Sequence, residues 1–213
     1  MRSKFDEQLS QLNDEMINMG EKIEKSISSA VEALSAFNKE LARSTMENDR
    51  EINSCQKKIE EICFNLLIRQ QPVARDLRII TAAMKMVTDM ERIGDHAADI
   101  CEITLHMEKE RPLGDFKHIR KMAEKTSYML NESINAYVNR DKEKAKAVIL
   151  YDDKIDALFE KAKKDVFDLI EGKNPNAEEA IDLLMVAKYF ERIGDHATNI
   201  AEWVIYSLKT KAK

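Results

Sequence analysis

Apolar residues recur every three or four positions along almost the whole chain. Two such runs are Leu9, Leu12, Met16, Met19, Ile23 and Ile27, and then Met84, Val87, Met90, Ile93, Ala97 and Ile100. This spacing places the apolar side chains on one face of an α-helix. The runs stop at turn signals, which are the N-cap residues Asn38 and Asp141 and the prolines Pro72, Pro112 and Pro175. We predict six helices, at residues 5–37, 39–70, 73–109, 115–139, 142–171 and 176–209.

The chain contains an internal repeat. The seven-letter sequence ERIGDHA occupies Glu91–Ala97 and returns unchanged at Glu191–Ala197. The segment Asp49–Asn53 also matches Asp152–Asp156, at an offset of 103 residues. A repeat of this length is one supersecondary unit, here three helices. We therefore predict an all-α fold of two tandem, pseudo-symmetric three-helix bundles, at residues 1–110 and 111–213.

Composition narrows the class of protein. The 213 residues carry a net charge of −5 with both signs interspersed, which argues against nucleic acid as a partner. The three cysteines, Cys55, Cys63 and Cys101, have apolar helical neighbours and are typical of core residues in a reducing compartment. No apolar run is long enough to span a bilayer, and no signal-peptide core is visible. We expect a cytoplasmic protein that meets membranes only through partners.

Acidic side chains form stripes on two predicted helices of each half. The stripe residues are Asp49, Asn53, Glu91, Asp95 and Asp99 in the first half, and Asp152, Asp156, Glu191, Asp195 and Asn199 in the second. Within each stripe the spacing is four residues, which puts the side chains on one face. Like charges at this spacing destabilise a helix by about 0.2–0.5 kcal/mol per pair, so their repetition in both halves needs a reason. Facing carboxylates in a helical bundle are a recurrent way to bind metal.

The donor set predicts which metals fit. It contains oxygen ligands and no thiolate, which favours ferric iron, manganese, magnesium or calcium. His96 and His196 follow the Asp by one residue and are rotated by about 100° from the stripe. We therefore expect them to hydrogen-bond the ligands rather than bind the metal. Gly94 and Gly194 sit mid-helix at a cost of about 1 kcal/mol each relative to Ala, which predicts a close backbone approach there.

The combined motifs resemble those of the PhoU family. They are the sequence QQPVARDLR at Gln70–Arg78, the sequence DMERIGDHA at Asp89–Ala97, and Glu191–Asp195 a hundred residues later. The resemblance covers essentially the whole chain. It implies two three-helix bundles side by side, frequent dimers, and multinuclear metal clusters on Glu/Asp-x-x-x-Asp pairs. We expect iron, with manganese, magnesium, zinc and calcium as alternatives.

The resemblance also implies a function. Members of the family repress the phosphate-starvation response by contacting the phosphate ABC transporter and its sensor histidine kinase. Six residues match the family pattern, namely Glu91, Asp95, Asp152, Asp156, Glu191 and Asp195. Asn53 departs from it, because it supplies an amide where a second carboxylate is usual. Arg75 and Arg78 belong to a signature without a full counterpart in the second half, and we predict them as partner contacts.

Three other kinds of protein remain as alternatives to a regulator. A carboxylate-bridged oxidase of the ferritin type uses Glu-x-x-His, whereas His96 lies five residues after Glu91. A hydrolase that activates water on a bound metal is a further alternative, although no general base is visible outside the stripes. If the chain were a helical spacer without metal, we would not expect the same motif to be retained in both halves. We therefore predict a regulator that is not an enzyme.

Overall fold

The computed structural model describes residues 2–70, 72–107, 117–171 and 177–209, and these residues form helices without any strand. The helices are α1 (Arg2–Ala36), α2 (Lys39–Gln70), α3 (Ala74–His106), α4 (Lys117–Val138), α5 (Lys142–Tyr151), α6 (Asp153–Glu171) and α7 (Ala177–Ser207). The predicted all-α fold is confirmed. The predicted ends at 108–109, 115–116 and 176 lie outside the described residues, as do Pro112, Pro175 and the predicted boundary between residues 110 and 111.

The fifth predicted helix, 142–171, is present, with one irregular turn at Asp152 that divides it into α5 and α6. Asp152 keeps helical angles, with φ −59° and ψ −37°. The hydrogen bonds around it tighten, since the amide of Asp152 donates to Ile149 at 3.3 Å and the amide of Ile155 donates to Asp152 at 2.7 Å. In both bonds the amide donates to the carbonyl three residues earlier, which is the pattern of a 3₁₀ turn. The irregularity therefore falls on one of the predicted metal ligands.

The first turns of the two halves have the same construction. Phe37 and Arg140 are left-handed, with φ of 53° and 54°. Asn38 then caps α2 by accepting from the amide of Leu41 at 3.0 Å, and Asp141 caps α5 by accepting from Lys144 at 2.9 Å. Both residues were predicted as N-caps, and the prediction is confirmed.

The two halves share one core. In the first half α1, α2 and α3 pack on one another, and in the second half α4 packs on α5, α6 and α7. α3 also lies along α7, and α1 contacts α4, so the halves meet over a long seam. The three cysteines are free and buried, as predicted. No helix among the described residues has the length and apolar character needed to cross a membrane.

α3 and α7 run antiparallel across that seam. Asp89 near the middle of α3 bonds His196 of α7, and His106 at the end of α3 acts electrostatically on Asp182 at the start of α7. The residue number therefore rises along one helix as it falls along the other. A pseudo-twofold relation between the halves follows.

Candidate metal centres and family of the chain

The first carboxylate set lies where α2 faces α3. Burial raises the pKa of Asp49, and the negative charge of Asp95 raises it further. Burial likewise raises the pKa of Glu91, and Asp95 and Asp49 add to the shift. Three carboxylates from two helices are therefore close enough to repel one another.

Asn53 also contacts this set, but as a hydrogen-bond donor and not as a negatively charged group. Its amide donates to one oxygen of Asp49 at 2.7 Å. The other oxygen, Oδ1 of Asp49, is buried and has no hydrogen-bond partner. A buried carboxylate oxygen without a partner carries a large desolvation cost, which a bound cation would remove.

The second set lies where the α5–α6 segment faces α7. Burial raises the pKa of Asp152 to about 6, with further contributions from the charges of Asp195 and Asp156. Burial also raises the pKa of Asp195, followed by the charge of Glu191. This set has four carboxylates, whereas the first has three and an amide. The second half therefore concentrates more negative charge at its helix interface.

The two mid-helix glycines lie directly against these sets. A Cβ at Gly194 would stand 2.9 Å from Oδ1 of Asp152 and 3.3 Å from Cγ2 of Ile155. A Cβ at Gly94 would stand 3.1 Å from Ile52 and 3.5 Å from Oδ1 of Asp49. The predicted close approach at both glycines is confirmed. Asp49 therefore lies against the backbone of α3, and Asp152 lies against the backbone of α7.

Cations of the chain partly neutralise both sets. Arg92 lies 3.5 Å from Glu91 and 2.9 Å from Asp95, and Lys188 pairs with Glu191. Among the described residues, no three His, Cys, Asp or Glu side chains stand together in a ready metal-binding arrangement.

Asn199 lies in the seam between the halves rather than in the second set. Its amide donates to Oδ1 of Asp89 at 3.2 Å, and Nδ1 of His196 lies 2.8 Å from the same oxygen. Asp89 was not among the predicted site residues. The repeat gave no signal for it, because its counterpart in the second half is Tyr189.

The other side of the seam holds the matching residues of the first half. Nδ1 of His96 lies 3.1 Å from Asp99, and the His96 ring lies 5.4 Å from the ring of Tyr189 and 5.6 Å from that of His196. Burial lowers the pKa of His96, against the opposing effect of Asp99. The negative charge of Asp99 also contributes to the raised pKa of Asp49. The seam thus joins the two carboxylate sets through side chains adjacent to Asp95 and Asp195.

The two predicted partner contacts lie at the start of α3, far along that helix from the carboxylates. Arg75 is exposed. Arg78 is half-buried, and its Nε is buried without a hydrogen-bond partner. The structure brings neither residue to the candidate metal sites.

The model of the PhoU domain matches the chain twice, at residues 16–104 and 119–204. The chain belongs to the PhoU family. The two matches agree with the internal repeat and with the two halves of the fold.

Relatives of this family resemble the chain over nearly its whole length. A phosphate-specific transport system accessory protein PhoU homolog of Clostridium acetobutylicum is 36% identical over 211 residues, which is 99% of this chain and 96% of that protein. The homolog of the same name from Pseudomonas aeruginosa is 33% identical over 208 residues, or 97% and 86% of the two chains.

Solved PhoU structures have the same fold. The crystal structure of PhoU from Pseudomonas aeruginosa gives a TM-score of 0.88 at 31% identity, over 96% of this chain and 98% of that one. The phosphate transport system regulatory protein PhoU from Streptococcus pneumoniae gives 0.87 at 27% identity, over 95% and 96%. The family membership and the fold are thereby shown.

Proposed function

We propose that this protein is a metal-binding, cytoplasmic negative regulator of phosphate uptake and of the phosphate-starvation response. It acts by contact with the phosphate ABC transporter and its sensor histidine kinase, and it works as a homodimer without catalysing a reaction. Its relatives are named as accessory proteins of phosphate-specific transport, which supports a regulatory and non-enzymatic role. The metal site is the part of the proposal that the residues themselves support.

One observation carries the metal site: both halves place mutually repelling, partly buried carboxylates at a glycine of the facing helix. Repulsion and desolvation both disfavour the folded protein in the absence of a cation. A hard cation supplies the positive charge that these oxygens lack, and it orders the facing helices when bound. The ligands we propose are Asp49, Asn53, Glu91 and Asp95 in the first site, and Asp152, Asp156, Glu191 and Asp195 in the second.

Asp99 and Asn199 take a different place in this proposal. Their contacts to His96 and Asp89 orient the seam, so they hold the two sites relative to each other. They bind metal only if they leave those partners. We propose iron as the resident metal, with manganese, magnesium, zinc or calcium as substitutes.

The two sites differ in charge, and the difference predicts an order of affinity. The second site has a fourth carboxylate, Asp156, where the first has Asn53. Affinity of oxygen sites for hard cations rises with the number of charged ligands. The second site is therefore the tighter one.

The proposal is tested in a strain that lacks the gene and carries a reporter of phosphate-starvation genes. In phosphate-rich medium the deletion strain should switch the reporter on, and the wild-type gene should restore repression. A variant with Asp152→Asn and Asp195→Asn should fail to restore it. Asp153→Asn is the matched control, since Asp153 is exposed on the same helix segment, and it should repress normally.

A reporter that stays off in the deletion strain contradicts the regulatory role. Full repression by the Asp152→Asn, Asp195→Asn variant contradicts the need for metal in signalling. An enzymatic role is examined separately with purified, metal-loaded protein. Phosphatase or oxidase turnover that disappears with Glu91→Gln would overturn the non-enzymatic assignment.

A further inference from the structure

A polar cleft lies between α1 and α2 in the first half. Its volume is about 150 Å³, which has room for several water molecules of about 30 Å³ each and so for a small ion. Six side chains that can donate hydrogen bonds line it, namely Lys22, Lys25, Ser26, Ser29, Thr45 and Asn48. Glu51 is the acidic residue of the lining. The cleft therefore offers mainly donors and positive charge.

Several of these donors are unused. Ser26 is only 8% exposed, yet its hydroxyl makes no hydrogen bond with the described residues, and the side chains of Ser29 and Asn48 make none either. A hydroxyl on a helix commonly bonds the carbonyl one turn earlier, as that of Thr45 does to Leu41 at 2.8 Å. Because Ser26 is nine-tenths buried and lines the cleft, its free hydroxyl is available to an acceptor inside it.

Two lysines bring positive charge to the same cleft. Lys22 pairs with Glu51. The hydrogen bond from Lys22, followed by its charge and by that of Lys25, lowers the pKa of Glu51. This carboxylate therefore marks a place where the cleft stabilises negative charge. The Glu51 side chain is 61% exposed, and exposed ion pairs contribute little stability, so Glu51 can turn to solvent and leave Lys22 to another anion.

The equivalent place in the second half is filled by aromatic rings. At the offset of 103 residues, Lys22 corresponds to Lys125, Lys25 to Tyr128 and Asn48 to Tyr151. Lys125 donates to the hydroxyl of Tyr151 at 3.0 Å, and the rings of Tyr128 and Tyr151 lie 4.9 Å apart. The lysine is thus present in both halves, but it meets a tyrosine in one half and an open cleft in the other. The repeat therefore contains a filled and an open version of the same structure.

We propose that the open cleft is an oxyanion site that takes a free inorganic phosphate ion. Lys22 and Lys25 supply the positive charge, and Ser26, Ser29 and Asn48 donate hydrogen bonds to the oxygen atoms. The small volume favours a free ion over a phosphate group on a larger molecule. The site rests on this geometry alone, whereas the choice of phosphate among oxyanions rests on the proposed function.

Isothermal titration calorimetry on the full chain measures the binding. Metal is first removed with chelator and the chelator is dialysed away, because Asp49 lies on the same turn of α2 as Asn48 and a metal ion held there would bind phosphate itself. The protein is then titrated with inorganic phosphate, with sulfate and with phosphoserine at constant ionic strength. The wild type should bind inorganic phosphate more tightly than either of the other two.

Three variants separate the cleft from a general effect of charge. Lys22→Gln should weaken phosphate binding about tenfold, because it removes a charge-assisted hydrogen bond. Glu51→Gln should tighten binding about two- to fivefold, since Lys22 loses a competing partner, and misfolding cannot produce such a gain. Lys125→Gln is the matched control, because it removes the same charge at the equivalent position of the filled corner, and it should bind phosphate as the wild type does.

Four results would overturn the proposal. The first is a wild type that binds no phosphate at millimolar concentration, and the second is equal affinity in Lys22→Gln and Lys125→Gln when circular dichroism shows that both fold. The third is a Glu51→Gln variant that binds no more tightly than the wild type. The fourth is tighter binding of sulfate or phosphoserine than of inorganic phosphate, which would contradict a site for the free phosphate ion. These outcomes do not depend on the reporter of phosphate-starvation genes, so the cleft and the regulatory role can fail separately.

Discussion

A Cβ placed on Gly194 would stand 2.9 Å from Oδ1 of Asp152, so this aspartate rests directly on the backbone of the facing helix. Real Cβ atoms do not approach a carboxylate oxygen this closely, and Ile155 closes the other side. The glycine is therefore what allows Asp152 to reach Asp195 and Glu191. The same relationship holds at Gly94 and Asp49 with slightly more room.

Replacing Gly194 with Ala should weaken metal binding at the second site. Ala favours a helix by about 1 kcal/mol over Gly, but here the new methyl group must displace Asp152. We expect Gly194→Ala to lower the affinity for manganese by about tenfold, equivalent to 1.4 kcal/mol, in isothermal titration calorimetry. Gly20→Ala is the control, since its Cβ would meet only the side chain of Ile134 and no carboxylate. Equal affinities in the two variants would contradict the role given to Gly194.

The raised pKa of Asp152, about 6, predicts how the metal-free protein responds to pH. In the folded state this carboxyl holds its proton more tightly than in the unfolded chain, where its pKa is 3.8. Its contribution to stability is therefore fully present below about pH 4 and is lost as the pH rises through 6. Urea unfolding of Asp152→Asn with chelator present should show a smaller loss of stability between pH 4 and 7 than the wild type shows.

Metal binding should show the opposite dependence on pH. The ligands must be deprotonated to bind, so affinity should rise as the pH increases through about 6, with release of protons. Titrations in buffers of different ionisation enthalpy measure those protons. An affinity that stays constant from pH 5 to 7 would mean that Asp152 is not a ligand.

Tyr137 provides a prediction about stability away from the sites. Its hydroxyl is buried without a hydrogen-bond partner, and burial raises the pKa of this phenol. An unsatisfied buried hydroxyl costs about 1–3 kcal/mol, so Tyr137→Phe should leave the free energy of unfolding unchanged or raise it. Tyr151→Phe is the comparison, because it removes a bond from Lys125 to the Tyr151 hydroxyl at 3.0 Å and should be neutral or slightly destabilising. A loss of more than about 1 kcal/mol in Tyr137→Phe would reveal a partner for that hydroxyl.

Local signals explain what the sequence could predict about the fold. The helices follow from the spacing of apolar residues, and the caps Asn38 and Asp141 act on amides three residues away. The interruption at Asp152 could not be predicted, because the apolar spacing continues through it. Its 3₁₀ hydrogen bonds lie where α5 and α6 both contact α7, and a contact between distant segments leaves no local sequence signal.

The site was predictable only within each half. Spacing of four residues placed Glu91 with Asp95 and Asp49 with Asn53, because one helix turn decides those positions. It also extended the stripes to Asp99 and Asn199, although Asp99 bonds His96 three residues earlier on α3 and Asn199 bonds Asp89 across the contact of α3 with α7. Asp89 was missed for the same reason, since a contact between residues 107 positions apart leaves no mark on local spacing.

The most direct test of the metal sites compares thermal melts with chelator and with manganese at constant ionic strength. The wild type should gain about 2.7 kcal/mol at a hundredfold excess of metal over Kd, which for a chain of this size raises Tm by roughly 5–10 °C. The variant Asp95→Asn with Asp195→Asn should be as stable as the wild type or more stable in chelator, because repulsion is relieved, and should gain little from manganese. The control Asp14→Asn with Asp153→Asn removes the same charge at exposed positions and should respond as the wild type does. Equal manganese-induced shifts in all three proteins would contradict the assignment of these carboxylates as metal ligands.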